Sequence, residues 1–162
     1  MAGPRTLVSL PAGGPKSASA SRRDPKLQGE LAELAFLHHA VSLGFRVAKP
    51  YGDSSRYDFI VDAGGVLTRV QVKSVAVPSR DSYRITSASG HSSKSAYTSS
   101  EIDLLAAYII PEDTWYLIPI NAFTPVKTIR LCPHQPSRRR FEIYREAWKL
   151  FTIPRPEPLP LR

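Results

Sequence analysis

The sequence has little cysteine, no long apolar run and few acids at its ends. A single cysteine, Cys132, occurs in 162 residues. That excludes an internal disulfide framework and a zinc site built on several thiolates, and it suits a reducing cytoplasm. No apolar stretch approaches the roughly 20 residues that cross a bilayer, so no membrane partner is expected. The opening residues, MAGPRTLVSLPAGGPKSASASRRD, lack the apolar block of a secretory signal and read as a tail. Acids number 14 against 22 basic residues, for a net charge of +8. The excess sits at the two ends: +3 over residues 1–25, +1 over 26–133 and +4 over 134–162. Basic ends suit a polyanion such as nucleic acid, and equally a solvated tail that aids solubility.

What is present suits one domain with a real core, since 42% of the residues are hydrophobic. Residues 1–25 read as a disordered basic tail, 26–151 as the folded domain and 152–162 as an extended Pro-rich end. The spacing of Leu27, Leu31, Leu34, His38 and Val41 predicts a helix that Gly44 stops. FRVAKP, DSYRITS, IDLLAAYII, TWYLIPI and VKTIRL read as strands, and SASGHSSKSAYTSS as a Ser-rich loop. SRRRFEIYREAWKLF reads as an amphipathic helix, with Phe141, Tyr144, Trp148 and Phe151 as its core-facing stripe. Helix, strands and helix in that order predict an α/β or α+β domain around a single sheet.

One stretch is unusual. YDFIVDAGGVLTRVQVKS alternates as two strands around Gly64-Gly65, a dipeptide that favours a two-residue hairpin turn. In that register Asp58 faces Gln71, Phe59 faces Val70, Tyr57 faces Val72 and Val61 faces Thr68. Tyr57, Phe59, Val61, Val70 and Val72 then form an apolar face. Asp58, Gln71 and Lys73 share the other. A one-residue slip would mix polar and apolar groups on both faces.

A carboxylate beside an amide oxygen offers two hard oxygen ligands of the kind that suit Mg²⁺. Lys73, on the same face, could position or help deprotonate a water and offset phosphate charge. Together they form a kit for phosphodiester hydrolysis. A wet sheet face with a Lys–Asp ion pair accounts for the same strand pattern equally well.

Asp58, twelve residues, then Gln71-Val72-Lys73 resembles the signature of the PD-(D/E)XK nuclease superfamily. The preceding Gly29-Glu30-Leu31-Ala32-Glu33 resembles its Gly-x-x-x-Glu helix. The ordered series from Leu27 to about Leu150 is similar, more narrowly, to the bacterial group I intron-encoded homing endonucleases and their relatives. That resemblance implies an α/β, restriction-endonuclease-like core with a mixed sheet flanked by helices. It implies a Mg²⁺-dependent DNA endonuclease, with Mn²⁺ as a substitute, acting on double-stranded DNA as a homo-oligomer. Asp58, Gln71, the Val72 carbonyl and Glu33 would hold the metal, and Glu33, Asp58, Gln71 and Lys73 would be catalytic. Glu33 matches the helix position better than Glu30, although either acid could simply complement the helix dipole.

Tyr57 stands where the superfamily often has Pro, and Gln71 where it usually has an acid. The latter change removes one negative charge, and the homing-endonuclease branch is similar in using Gln there. A Holliday-junction resolvase or repair nuclease on the same core is the rival enzyme. A non-catalytic DNA-binding module is the rival of another class, against which the intact Asp58–Lys73 pair argues. Lys94, Arg138, Arg139 and Arg140 are candidate contacts to the DNA backbone, or ordinary solvated charges. Glu101 and Asp103 could cap a short helix or support the site. His38 and His39 read as structural.

Overall fold

Asp24 starts the first ordered element. The computed structural model describes residues 24–52, 54–89, 95–135 and 140–152. The Asp24 carboxylate accepts from Lys26 N at 2.9 Å, with Pro25 in the first turn of helix α1, Pro25–Ser42. Both are favoured helix-start chemistry. Gly44, at φ +86°, then turns the chain into the sheet.

The face of α1 that docks is not the leucine stripe. Ala32, Phe36 and Ala40 are buried, whereas Leu27, Leu31, Leu34 and Val41 are 52%, 56%, 61% and 53% exposed. Helical spacing reveals an apolar stripe without saying which stripe packs. Here two alanines let the backbone approach the sheet, and Phe36 fills the gap between them. Its ring stacks on Phe59 at 5.4 Å and meets Trp115 and Trp148 at 5.7 Å each.

Among the described residues nine strands follow: β1 Arg46–Ala48, β2 Phe59–Ala63, β3 Val66–Val75, β4 Tyr83–Thr86, β5 Ala88–Ser89, β6 Ser95–Ala96, β7 Leu104–Ile109, β8 Thr114–Pro119 and β9 Thr128–Leu131. Five make a mixed sheet in the order β1-β2-β3-β7-β8. Only β3 and β7 run parallel in it. The crossover between them carries β4, β5 and β6. β4 pairs with β9, and β5 with β6, as separate two-stranded pieces.

The hairpin register is the expected one: Phe59 opposes Val70 and Val61 opposes Thr68. Gly64 and Gly65 turn at φ +68° and +92°, which suits glycine, and Asp62 Oδ1 accepts from Gly65 N at 2.8 Å. Phe59, Val61, Val70 and Val72 bury with α1. Tyr57 does not join them. Asp58 N still donates to Val70 O at 2.8 Å, but β2 begins only at Phe59. The chain has left the ladder at Tyr57, whose ring packs against a second core on the opposite face. That second core includes Leu105, Ala107, Ile109, Tyr116 and Ile118 of the sheet, and Tyr83, Ile85, Ile129 and Leu131 of the β4–β9 ribbon.

No α-helix follows β9 among the described residues; two 3₁₀ turns, Glu142–Tyr144 and Trp148–Thr152, stand where the second helix was expected. Phe141 enters the second core, while Trp148 and Phe151 enter the first. The aromatics are core residues as expected, but they serve two cores, and three- to four-residue spacing fits successive tight turns as well as one helix. Glu146 makes the break. It adopts φ +46°, and its carboxylate accepts from Trp115 N at 2.6 Å and Trp148 Nε1 at 2.7 Å. This contact also covers the outer edge of β8. Glu146→Ala strands both donors, and urea unfolding is expected to show a loss of about 2–3 kcal/mol. A loss under about 0.5 kcal/mol, the usual range for a surface change, would show that the clamp contributes nothing.

The expected tails fall almost entirely on residues 1–23 and 153–162, outside the described set. Among the described residues no helix is long and apolar enough to cross a membrane.

Candidate active site

The hairpin sets Asp58 opposite Gln71, at the end where β2 leaves β3. Gln71 Nε2 donates to Asp58 Oδ2 at 2.5 Å and to Val72 O at 3.3 Å. Val72 N donates to the same Asp58 oxygen at 2.7 Å. Gln71 is 7% exposed, so its amide is held in place. Val72 buries its side chain in the first core and leaves its carbonyl on the site.

Glu33 comes from α1. Its carboxylate takes an ion pair from Lys49 at 2.7 Å and is about one-quarter exposed, whereas Glu30 is exposed. Burial pushes the Asp58 carboxyl above the usual carboxylate range. The Val72 N–H opposes that rise, the negative charge of Glu33 adds to it, and Lys73 and the Gln71 amide oppose it. The charges of Glu33 and Lys73 both bear on Asp58. Lys73 is half-buried, two residues along β3 from Gln71. Beside it, Gln28 Nε2 donates to Ser74 Oγ at 3.2 Å and ties α1 to β3.

Lys49 was missed from sequence. Its ammonium pKa is raised, chiefly by its hydrogen bond to Glu33, with burial opposing and the charges of Glu33, Asp58 and Glu30 adding. The strand pairing locates it: extending the β1–β2 register one step past Ala48–Ile60 places Lys49 opposite Phe59. Its ammonium lies 5.7 Å from the Phe59 ring centre.

Glu101 and Asp103 brace the chain before β7. Asp103 accepts from Arg69 N at 2.7 Å, Nε at 3.0 Å and NH2 at 2.9 Å. Arg69 also donates to the carbonyls of Ser99 and Ser100. Glu101 accepts from Thr98 N at 2.9 Å and pairs with Arg56 at 3.3 Å. His39 stacks on Trp148 at 4.4 Å, and His38 is exposed. Arg140 donates to Ala122 O at 3.1 Å and lies over the Phe141 ring. Lys94, Arg138 and Arg139 lie outside the described residues.

Among the described residues no three His, Cys, Asp or Glu side chains cluster as a metal site. The donor set at the hairpin is of another kind. Asp58 Oδ2 and Val72 O both converge on one Gln71 nitrogen, which fills a point surrounded by oxygens. A half-turn of the amide puts Oε1 there, an arrangement of mutually repelling oxygens that only a cation makes favourable. With the nearby Glu33 carboxylate, these are hard oxygen donors that fit Mg²⁺ or Mn²⁺.

Two solved structures share this architecture. A bacterial homing endonuclease, I-Ssp6803I, is similar at 31% identity and TM-score 0.67, over 77% of this chain and 90% of that one. Hjc, a Holliday junction resolvase from Archaeoglobus fulgidus, is similar in fold at TM-score 0.50 and 12% identity, over 80% of this chain and 99% of that one. No curated protein matches significantly. The five-stranded mixed sheet with its flanking helix is therefore a restriction-endonuclease-like α/β fold. A family model described as PD-(D/E)XK endonuclease matches residues 23–151, and the chain belongs to that family as a nuclease.

Proposed function

We propose that the chain is a Mg²⁺-dependent endonuclease of double-stranded DNA, homing-endonuclease-like, with Mn²⁺ as a substitute. The observation that carries this reading is the convergence of Asp58, Gln71 and the Val72 carbonyl, with Lys73 two residues along the same strand. Asp58, Gln71, the Val72 carbonyl and Glu33 would hold the cation. When bound, the cation supplies Lewis-acid stabilisation of charge on the scissile phosphate. Lys73 would orient the attacking water and offset charge on the phosphate, and in its neutral amine form would take the water's proton; hydrolysis would be direct, with no covalent enzyme intermediate. Lys49 holds the Glu33 carboxylate and balances its charge while the cation is absent.

The likeness to a homing endonuclease at 31% identity supports duplex DNA as substrate. Each chain carries one such site and duplex cleavage needs two, which supports a homo-oligomer. The single cysteine, buried and free, suits a cytoplasmic setting.

The test is incubation of the full chain with supercoiled plasmid, linear duplex and a four-way junction, with Mg²⁺, Mn²⁺ or EDTA. Nicking of duplex with either metal and none with EDTA is expected. Strong preference for the junction would move the assignment to a resolvase. No cutting of any substrate with either metal would overturn the nuclease chemistry proposed for this site.

A further inference from the structure

The β4–β9 ribbon alternates cleanly. Tyr83, Ile85, Ile129 and Leu131 point into the second core, while Arg84, Thr86, Thr128 and Arg130 are exposed. The register sets Arg84 directly opposite Arg130, and Thr86 opposite Thr128. Opposed side chains in an antiparallel pair have Cβ atoms about 5 Å apart, and like charges there are destabilising. Neither arginine has an ion pair among the described residues, whereas Arg69 and Arg145 are each tied to a carboxylate. No acid stands among the ribbon's four outward residues, and exposed Lys127 adjoins them. The fold thus bears an unrelieved pair of cations on an outward face, where one acid in place of either would stabilise the ribbon.

We infer that the outer face of the β4–β9 ribbon docks on the backbone of duplex DNA, with Arg84 and Arg130 on neighbouring phosphates. This rests on the nuclease reading and adds to it a contact surface. Each strand of a duplex carries a phosphate about every 3.4 Å of axis, so two guanidiniums set side by side face a continuous row of anions. A guanidinium binds phosphate oxygens in bidentate fashion. The Thr86 and Thr128 hydroxyls add neutral donors of the kind found on DNA backbones. The ribbon packs over the same sheet face that carries Gln71, the face of Leu105, Ala107 and Ile109.

The experiment is binding of the full chain to a labelled duplex in EDTA across a salt series, with thermal unfolding of each variant. Changing Arg84 and Arg130 together to Gln is expected to cut the slope of log affinity against log salt by about two units. The double Lys variant should keep the wild-type slope. Arg130→Glu should raise the melting temperature, by pairing with Arg84, while lowering duplex affinity at least tenfold. Stability and binding moving in opposite directions is a result that a purely structural role does not produce. An unchanged slope in the double Gln variant, with wild type binding normally, overturns the ribbon contact and is what a surface for an acidic protein would give. A wild-type chain that binds no duplex overturns the DNA reading itself, and the ribbon contact with it.

Discussion

Lys73→Ala is expected to reduce Mg²⁺-supported cleavage by about 10²–10⁴-fold, the range for losing a general acid–base group. Duplex affinity should stay close to wild type. Lys73, on β3 opposite Ala107 of β7, is half-buried and its charge bears on Asp58, as a group acting at the reacting centre should be. A group that works mainly in the transition state lowers turnover and leaves ground-state binding alone. Lys73→Arg separates its two tasks. Arginine keeps the positive charge, but a guanidinium does not deprotonate in proteins. Substantial activity in the arginine variant would mean that charge alone matters; loss equal to alanine would point to proton transfer. Single-turnover cleavage under saturating Mg²⁺ measures this directly. An alanine variant that cuts at nearly the wild-type rate would remove Lys73 from the mechanism.

The parts of the fold that were legible are those with a short period and a strong turn signal. Alternation of apolar and polar residues around Gly64-Gly65 fixed a register that the pairing of Phe59 with Val70 reproduces, and with it the contact of Asp58 with Gln71. β4 and β9 were legible as single strands by the same alternation, and β7 and β8 as continuous apolar runs joined by a short turn. Helix α1 was legible as a helix, but not in its orientation. Both its faces carry apolar side chains, and the choice of Ala32, Phe36 and Ala40 over the leucines depends on the ring of Phe59, Trp115, Trp148 and Phe151 that Phe36 meets. Those partners are distant in sequence. The break at Glu146 was hidden for a similar reason, since its donors, Trp115 N and Trp148 Nε1, come from two separate segments. Lys49 needed the β1–β2 pairing to be placed at all, and its meaning depends on Glu33, 16 positions away on another element. From the strand pattern a wet surface accounted for the polar face of β3 as well as a site did, yet Gln71 is buried. The β4–β9 ribbon and Tyr97 cover much of that face, and only pairing between segments far apart in sequence, such as Tyr83 with Leu131, could reveal it.

Asp58→Asn is expected to abolish cation binding and to lower cleavage by about 10²–10³-fold, as loss of an electrostatic anchor does. It should also raise the stability of the metal-free protein at neutral pH. Burial, with Glu33 adding, holds the folded-state pKa of Asp58 above its unfolded value. The folded state therefore favours the protonated carboxyl. The stability linked to this group is fully present below the unfolded value of about 3.9 and is lost as pH rises through the raised folded value. At pH 7 the ionised carboxylate is a standing cost, which asparagine removes while keeping an oxygen for Val72 N and for the Gln71 amide. Mg²⁺ reverses the sign for wild type alone, since a ligand that binds only the folded state adds about 2.7 kcal/mol at a hundred times its Kd. Gln71→Glu should do the opposite in both respects. It replaces the Nε2 donor facing Asp58 Oδ2 and Val72 O with a second carboxylate, so the metal-free protein should melt lower. The added charge at a hard-cation site should give a larger gain in melting temperature on adding Mg²⁺. Melting curves of the three proteins with and without Mg²⁺ across pH 4–8 test both directions at once. Equal Mg²⁺-induced shifts in wild type and Asp58→Asn would place the cation elsewhere, and a metal-free Asp58→Asn that melts below wild type at pH 7 would show that the carboxylate's hydrogen bonds outweigh its burial.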